Sequence, residues 1–316
     1  MNETEKEQLK KEGLDARLRA LFGYKIYGYL HDENVFEIIA NPDGKIFLKT
    51  TRGDVQLEEI LPSDKRRQII NEIAGFSNIE ATEEQPLPSV EFFDMRFQGF
   101  LPPTTEYPAF NIRRHASRVF TLDEYEKNET ITSKQKQLLL EAIHNKKNII
   151  IGGATGTGKT TFLNAILAEI AKTDDRIVMI EQVPELKCLS NNKLSLKSTD
   201  TISMDRLLKA TLRATPDRIV VGEIRGSEAL TLLDAWSTGH RGGASTIHSN
   251  SARETLTRLD QLVARVLDKN TEYVIGDAID VIIYINRIGL KRKVEKIIKV
   301  NAYNKLKQDY DLEELG

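Results

Sequence analysis

The chain has 316 residues, of which 40% are hydrophobic and 29% are charged, and these values are typical of a folded protein with an interior core. The formal net charge is -2, so the composition provides no overall basic field of the kind that attracts nucleic acid. No stretch approaches the roughly 20 apolar residues that would span a bilayer, so we expect any membrane association to be peripheral. The single cysteine, Cys188, excludes an internal disulfide and fits a reducing cytoplasm.

Residues 1–117 are predicted to form a small α+β domain. Leucines recur near helical spacing up to about Tyr29, which predicts an opening helix. The segment VFEIIANPDGKIFL predicts a β-hairpin, because its Pro, Asp and Gly residues supply turn geometry between two apolar runs. A helix over RRQIINEIAGFS and strands over VEFFDMRFQGF and YPAFNIRR complete this domain.

Residues 118–131 are polar and charged, which predicts a linker. Over residues 132–316, predicted helices alternate with the strands KNIIIGG, RIVMIE, DRIVVGEIR and GASTIHS. These strands are apolar throughout, as strands buried on both faces are. The alternation predicts an α/β domain with a parallel sheet and helices on both faces, and the stretch from Tyr273 onwards is expected to add short edge strands.

A phosphate-binding loop lies between the first of these strands and a helix. Gly153-x-x-x-x-Gly158-Lys159-Thr160 matches the pattern in which backbone N–H groups and a helix N-terminus surround phosphates. We expect Lys159 to reach the β- and γ-phosphates and the Thr160 hydroxyl to bind Mg²⁺. The predicted nucleotide-binding residues are Gly153, Ala154, Thr155, Gly156, Thr157, Gly158, Lys159, Thr160 and Thr161.

Two strand ends supply candidate carboxylates for nucleotide hydrolysis. Glu223 ends RIVVGE, where the usual aspartate position holds Gly222. Glu223 could polarise the attacking water or hold the metal through water; the alternative is a surface glutamate paired with Arg225. Glu181 ends RIVMIE and Glu185 follows in a loop, and either could serve Mg²⁺ or the water; the alternative is a solvated turn carboxylate.

The segment GHRGGASTIHS supplies two candidate histidines. His240 lies in a loop rich in glycine, and His248 ends a strand. A neutral histidine at such a position can donate to a phosphate oxygen, whereas the alternative for each is a structural role. No Cys/His metal pattern is present, so we do not expect zinc.

Four motifs in order resemble those of the secretion ATPase superfamily, and most closely the conjugal-transfer, TrbB-like ATPases of type IV secretion systems. GGATGTGKTT, RIVMIEQVPEL, RATPDRIVVGEIRG and GHRGGASTIHSNSARETLTRL are similar to that family's Walker A, Asp box, Walker B and His box. The resemblance extends from about Val35 to Leu267. It implies a RecA-like C-terminal domain, a PAS-like N-terminal domain and a hexameric ring with ATP bound between the domains and near a neighbouring subunit.

The resemblance also implies roles for residues outside the loop. Arg96 and Arg113, followed by Arg114, match the first-domain arginines that contact phosphates. Glu223 matches the carboxylate that activates water. The resemblance makes Glu181 a partner of Mg²⁺ or water and His248 the histidine of the His box.

The resemblance also concerns two arginines and the last position of the Asp box. Arg213 or Arg225 is expected to act across a subunit interface. The family's Asp box reads Ile-Glu-Asp, whereas this chain has Gln182 in the last place, so hydrolysis could be slow unless Glu185 compensates.

We therefore expect a cytoplasmic, Mg²⁺-dependent ATPase, peripherally associated with the inner membrane, that powers a conjugation channel. The implied partners are channel subunits and a coupling protein, without direct binding of nucleic acid. One alternative is a pilus assembly or retraction ATPase of the same superfamily. A second is a nucleotide-binding scaffold with little turnover, which Gln182 favours, and a third, weaker one is a RecA-like motor acting on nucleic acid.

Overall fold

The computed structural model describes residues 2–114, 118–289 and 291–316, and the chain divides into two compact units, Met1–Ser117 and Arg118–Gly316. The fold class predicted from the sequence, a small α+β domain followed by an α/β domain, is confirmed. Within the ranges just given, no helix combines the length and the apolarity that crossing a membrane requires.

The first unit is a six-stranded antiparallel sheet with two helices on one face. Its elements are α1 (Glu3–Tyr29), β1 (Val35–Ala40), β2 (Lys45–Thr50), β3 (Gly53–Ile60), α2 (Ser63–Phe76), β4 (Ser89–Phe92), β5 (Met95–Phe100) and β6 (Ala109–Arg114). The strand order is β3-β2-β1-β6-β5-β4. Gly44 adopts a φ of +86° in the turn between β1 and β2, where the sequence predicts a hairpin.

Alternation along the strands separates the two faces of this sheet. Phe97 and Ile112 are opposite each other, and both are buried in a cluster with side chains of α1 and α2. The residues that alternate with Phe97 along β5 and with Ile112 along β6 point away from the helices. Arg96 and Arg113 are opposite each other on that second face.

The second unit is an eight-stranded sheet covered on both faces. Its elements are α3 (Leu122–Lys127), α4 (Ser133–His144), β7 (Ile149–Gly153), α5 (Lys159–Ile170), β8 (Ile177–Glu181), β9 (Lys193–Lys197), α6 (Met204–Thr211), β10 (Arg218–Ile224), α7 (Glu228–Ser237), β11 (Ala244–His248), α8 (Ala252–Val263), α9 (Thr271–Ala278), β12 (Val281–Ile288), β13 (Lys291–Asn304) and β14 (Asp309–Glu314). The strand order is β14-β13-β12-β7-β11-β10-β8-β9, with the pairs from β12 to β9 parallel. One apolar cluster joins the sheet to α6–α9, and another joins it to α3–α5.

The C-terminal part differs from the short edge strands expected from the sequence. Its first residues form α9, and β12 lies inside the sheet between β7 and β13. The apolar run VIIYI of β12 is buried, as in the other central strands. The antiparallel hairpins β12–β13 and β13–β14 extend the parallel sheet and make it mixed.

Residues 118–131, which the sequence predicts as a linker, contribute to the core of the second unit. Thr121 and Glu124 form a capping box at the start of α3. Leu122, Tyr125 and Ile131 are buried, and the Tyr125 ring lies edge-on to Phe162 of α5 at 4.9 Å between centroids. These apolar residues are separated by charged ones, so composition alone identifies the segment as polar.

Candidate active site

The phosphate-binding loop connects β7 to α5 through backbone conformations that require glycine. Gly156 and Gly158 have φ values of +78° and +94°, in the left-handed region that residues with a Cβ avoid. A Cβ on Gly153 would lie 2.4 Å from the carbonyl oxygen of Ile285. Helix α5 then begins without a side-chain cap, so its first N–H groups remain available to an anion.

Lys159 is buried inside this loop. The residue is only 6% exposed. Its Nζ donates to the carbonyl oxygens of Gly153 and Ala154, each at 2.9 Å. Thr157 stabilises the same turn, because its hydroxyl also donates to the Ala154 carbonyl at 2.9 Å. A bound phosphate would compete with these carbonyls for the ammonium, since a charge-assisted hydrogen bond is the stronger one.

The other candidate side chains lie at the same edge of the sheet. Gly153, His248 and Glu181 end β7, β11 and β8, and Glu223 is the penultimate residue of β10. These four strands are adjacent and parallel, in the order β7-β11-β10-β8. The fold therefore brings together the loop, His248, Glu223 and Glu181 at the carboxyl edge, where open α/β sheets bind ligands.

His248 connects Lys159 to Glu223. Its Nδ1 lies 3.1 Å from Lys159 Nζ, and its Nε2 lies 2.9 Å from Glu223 Oε1. Burial lowers the pKa of His248, and the charges of Lys159 and Arg225 lower it further, whereas Glu223 opposes them. We assign a neutral ring with its proton on Nε2, because an ammonium only donates and Nδ1 must accept from it.

The two carboxylate oxygens of Glu223 have different surroundings. Oε2 lies 2.6 Å from the Arg225 guanidinium, which also contacts Gln182 Oε1 at 3.3 Å. The hydrogen bond to Glu223 is the main reason why the pKa of Arg225 is raised. Oε1 is buried, and its approach to His248 lacks the alignment of a hydrogen bond, so it has no such partner among the residues described. This oxygen therefore keeps an unused capacity to accept a hydrogen bond, while its contact with His248 leaves it unexposed to solvent.

Glu181 takes the space beside the missing Walker B aspartate. A Cβ on Gly222 would lie 3.1 Å from Glu181 Cγ, so the two strands approach closely there. Glu181 is 6% exposed, and its Oε1 accepts from the backbone N–H groups of Glu185 and Leu186, each at 2.8 Å. Glu181 thus both contributes a carboxylate to the site and holds the loop after β8.

Asn164 of α5 also holds the loop after β8. The sequence analysis did not identify this residue as part of the site. Its amide nitrogen donates to the Glu185 carbonyl at 3.0 Å, and its oxygen accepts from the Lys187 N–H at 2.8 Å. The available signal was one asparagine within the apolar helical run FLNAILAEI. A buried amide in such a run needs partners, and here they are loop backbone groups.

The donor set fits a magnesium ion that binds together with nucleotide. Thr160 lies in the first turn of α5, and Glu181 and Glu223 provide carboxylates at the same sheet edge. Among the described residues, no three His, Cys, Asp or Glu side chains form a ready-made cation site. Mg²⁺ in nucleotide sites is usually held by one or two carboxylates and substrate phosphates, so such a cage is not required. Glu181 and Glu223 provide the two carboxylates of this description.

Other candidates lie outside this group. His240 precedes β11, at the opposite edge from His248, and its Nδ1 lies 3.2 Å from the Pro216 carbonyl oxygen. That contact indicates a structural role. Arg213 is exposed in the turn after α6.

The three arginines of the first unit lie on different faces. Arg96 and Arg113 are cross-strand neighbours on the face without helices, and neither has an ion-pair partner among the described residues. Arg114 lies on the helix face, where its guanidinium donates to the Leu30 carbonyl. Successive residues of a strand point to opposite faces, so Arg113 and Arg114 cannot serve the same ligand.

The sequence profile of the type II/IV secretion system protein family matches residues 49–304. This chain belongs to that family. The member described here is 43% identical over 291 residues to the conjugal transfer protein TrbB of Rhizobium radiobacter, an alignment that covers 91% of this chain and 90% of that protein. It is 41% identical over 302 residues to the probable conjugal transfer protein TrbB of Sinorhizobium fredii, with 94% and 93% covered. The resemblance inferred from the four motifs is confirmed.

A solved structure supports the fold of this secretion family member. The pilus retraction motor PilT with bound ADP superposes with a TM-score of 0.64 at 20% identity, over 93% of this chain and 82% of that one. At this identity the likeness concerns the fold alone.

Proposed function

We propose that the protein is a Mg²⁺-dependent ATPase that powers conjugal transfer through a type IV secretion channel. The observation that supports this most directly is the contact series from Lys159 through His248 to Glu223 beside the phosphate-binding loop. The loop supplies a phosphate site, and Glu223 supplies a carboxylate oxygen that has no hydrogen-bond partner among the described residues. The relatives named conjugal transfer protein TrbB support the biological role.

In the proposed reaction, water attacks the terminal phosphorus of ATP and the bond to the ADP oxygen breaks. Lys159 and the N–H groups of α5 bind the phosphate oxygens and stabilise their negative charge. Glu223 Oε1 accepts a hydrogen bond from the water and orients it, and the water's proton ends on the released phosphate or in solvent. Thr160, Glu181 and Glu223 are the residues that would hold Mg²⁺, and the ion would supply neutralisation of the phosphate charge when bound.

Arg96 and Arg113 are proposed to complete the charge around the phosphates. A guanidinium near a transferring phosphoryl group stabilises the transition state. In the sheet Arg113 also lies opposite Glu37 and Arg96 lies opposite Glu91, so this row carries both signs of charge, and the proposal for the two arginines rests on the motif resemblance. We further propose a homohexamer that works in the cytoplasm at the inner membrane and contacts channel subunits and a coupling protein.

The decisive experiment compares Lys159→Ala with Lys172→Ala in the purified full chain. Lys172 lies just after α5, is 68% exposed and pairs with Glu169 at the surface, so it is a matched control. We expect Mg²⁺-dependent phosphate release by the unmodified chain and Lys172→Ala, and at least about a hundredfold loss in Lys159→Ala. Undiminished turnover in Lys159→Ala would overturn the assignment.

The Glu223→Gln variant separates binding from chemistry. Glutamine keeps the size of the side chain but lacks the negative charge that orients the attacking water, so turnover should fall by about a hundredfold or more while ATP still binds. The two measurements are phosphate release and equilibrium binding of ATP. If turnover survives in Glu223→Gln, another group activates the water.

A nucleotide-binding scaffold with little turnover is the second candidate. Arg225 engages both Glu223 and Gln182, and this contact restrains the carboxylate proposed to orient water. Tight ATP binding without phosphate release, even with channel partners and lipid present, would favour the scaffold. Phosphate release that depends on Lys159 and that channel partners or lipid stimulate would exclude it.

A further inference from the structure

The hairpin between β12 and β13 extends past the phosphate-binding loop and carries a concentration of positive charge. Tyr284 of β12 is opposite Gly152 of β7, and the next residue, Ile285, places its carbonyl oxygen against Gly153. The hairpin therefore continues beyond the carboxyl end of β7. Its basic residues in this part are Arg287, Lys291, Arg292 and Lys293.

Two of these residues form a pair of like charges. Arg287 and Arg292 are cross-strand partners, an arrangement that is destabilising unless an anion offsets it. In the part of the chain that the structure describes, neither forms an ion pair, and Arg287 donates from Nε to the Gly289 carbonyl at 3.0 Å. Lys291, by contrast, lies 3.0 Å from Glu129.

The side chain of Arg292 lies over the last glycine of the phosphate-binding loop. A Cβ on Gly158 would be 3.1 Å from Arg292 Cδ and 3.3 Å from its Nε. Tyr125 is also nearby: burial raises the pKa of its phenol, and the charge of Arg292 opposes that rise. The guanidinium is thus positioned at the N-terminus of α5, where uncapped N–H groups already favour an anion.

We propose that Arg292 is a nucleotide-binding residue that contacts the phosphates shared by ATP and ADP. This inference rests on the proposed function, since it assigns another residue to the same nucleotide site. Glu223 and His248 lie on the β11 side of β7, whereas Arg292 lies on the β12 side. If the terminal phosphate faces Glu223, Arg292 faces the remainder of the phosphate chain. Arg292 therefore acts on binding rather than on the hydrolytic step.

The test measures equilibrium binding of ADP, ATP and adenosine to the full chain and to three variants. Arg292→Ala removes the whole side chain, and Arg292→Met removes the charge but keeps an unbranched apolar side chain over Gly158. Lys293→Ala is the matched control, because it removes one positive charge from the opposite face of the same strand. We expect Arg292→Ala and Arg292→Met to weaken ADP and ATP alike by about tenfold, with adenosine unaffected. Lys293→Ala should bind all three within about twofold of the unmodified chain.

Three results would overturn the inference. One is ADP binding within about twofold of normal in both Arg292 variants while Lys159→Ala binds poorly, which would leave the proposed function intact. A second is weakening of ATP alone, which would place Arg292 at the terminal phosphate. A third is weakening in Arg292→Ala that Arg292→Met restores, which would mean that packing over Gly158, and not charge, matters. Failure of the unmodified chain to bind any nucleotide would instead overturn the proposed function, together with this inference.

Discussion

The side chain of Glu181 packs against Gly222, so that a Cβ on Gly222 would lie 3.1 Å from Glu181 Cγ and 3.4 Å from its Oε1. Glu181 of the neighbouring strand β8 therefore places a carboxylate beside position 222, where β10 has a glycine. This arrangement depends on both residues, because any side chain at position 222 competes with Glu181 for the same space.

Restoring an aspartate at position 222 should impair the protein rather than improve it. Gly222→Asp adds volume and a second carboxylate beside buried Glu181, so we expect the free energy of unfolding to fall by about 1–3 kcal/mol. Gly222→Ala adds volume without charge, so it should lower the free energy of unfolding by less. The measurement is urea unfolding, with Gly75→Ala as control, because a Cβ there meets no atom within 4 Å. The loss caused by Gly222→Asp should be smaller in a Glu181→Ala background than in the unmodified chain, which would confirm the cause, and an unchanged Gly222→Asp would contradict it.

The contact of Arg225 with Gln182 and Glu223 predicts the effect of an acidic residue at position 182. Gln182→Asp offers Arg225 a second carboxylate, which competes with Glu223 for the guanidinium. The pair is partly exposed, and such pairs contribute about 0.2–1 kcal/mol, so we expect turnover to rise by up to about fivefold as Glu223 is released. Phosphate release at saturating ATP measures this. Gln182→Asn, which adds no charge, should not raise turnover, and a rise in that variant would contradict the explanation.

Asp175 predicts a pH dependence of stability. Burial alone would raise its pKa, but hydrogen bonds from Lys146 and Arg218 outweigh burial and lower the pKa to about 2. Because the folded-state pKa lies below the ordinary 3.8, this contribution is complete above about pH 4 and is lost as the pH falls through about 2. It corresponds to about 2 kcal/mol.

Asp175→Asn should therefore destabilise the chain by at least about 2 kcal/mol at pH 7, since Arg218 is 1% exposed and would lose its carboxylate. The difference from the unmodified chain should shrink as the pH falls from 4 towards 2. Urea unfolding across this range is the measurement, and exposed Asp174→Asn is the control. A difference that stays constant with pH would show that the ion pair does not cause it.

The pair of Arg96 and Arg113 predicts a loss of turnover without a loss of stability. Each arginine faces the other on one side and a glutamate on the other, Glu37 beside Arg113 and Glu91 beside Arg96, so removing either one should change the free energy of unfolding by less than about 1 kcal/mol, whereas hydrolysis should fall at least about tenfold. Arg114→Ala should lower stability and leave turnover unchanged, because the Arg114 guanidinium donates to the Leu30 carbonyl. Thermal unfolding and phosphate release, compared with Lys49→Ala on the same face, distinguish these outcomes. Full turnover in Arg96→Ala and Arg113→Ala would remove both residues from the proposed site.

Part of the site could be predicted because its signals are local. A strand, a glycine-rich turn and a helix follow one another over residues 149–170, and their backbone geometry determines where a phosphate binds. Glu181, Glu223 and His248 could be predicted as well, because the carboxyl ends of parallel strands meet at one edge. His240 shows the limit of that reasoning, since the same glycine-rich motif places it at the other edge.

The sequence by itself determined the fold class, the family and the phosphate-binding loop, because these depend on periodicity and on residues adjacent in the chain. Only the tertiary structure decided that Glu181 packs on Gly222, that Asn164 holds the loop after β8 and that Arg292 covers Gly158. It also decided that Tyr125 and its neighbours belong to a core. Each of these contacts joins residues that are distant in the chain, and strand order and register bring them together. No local pattern encodes that order.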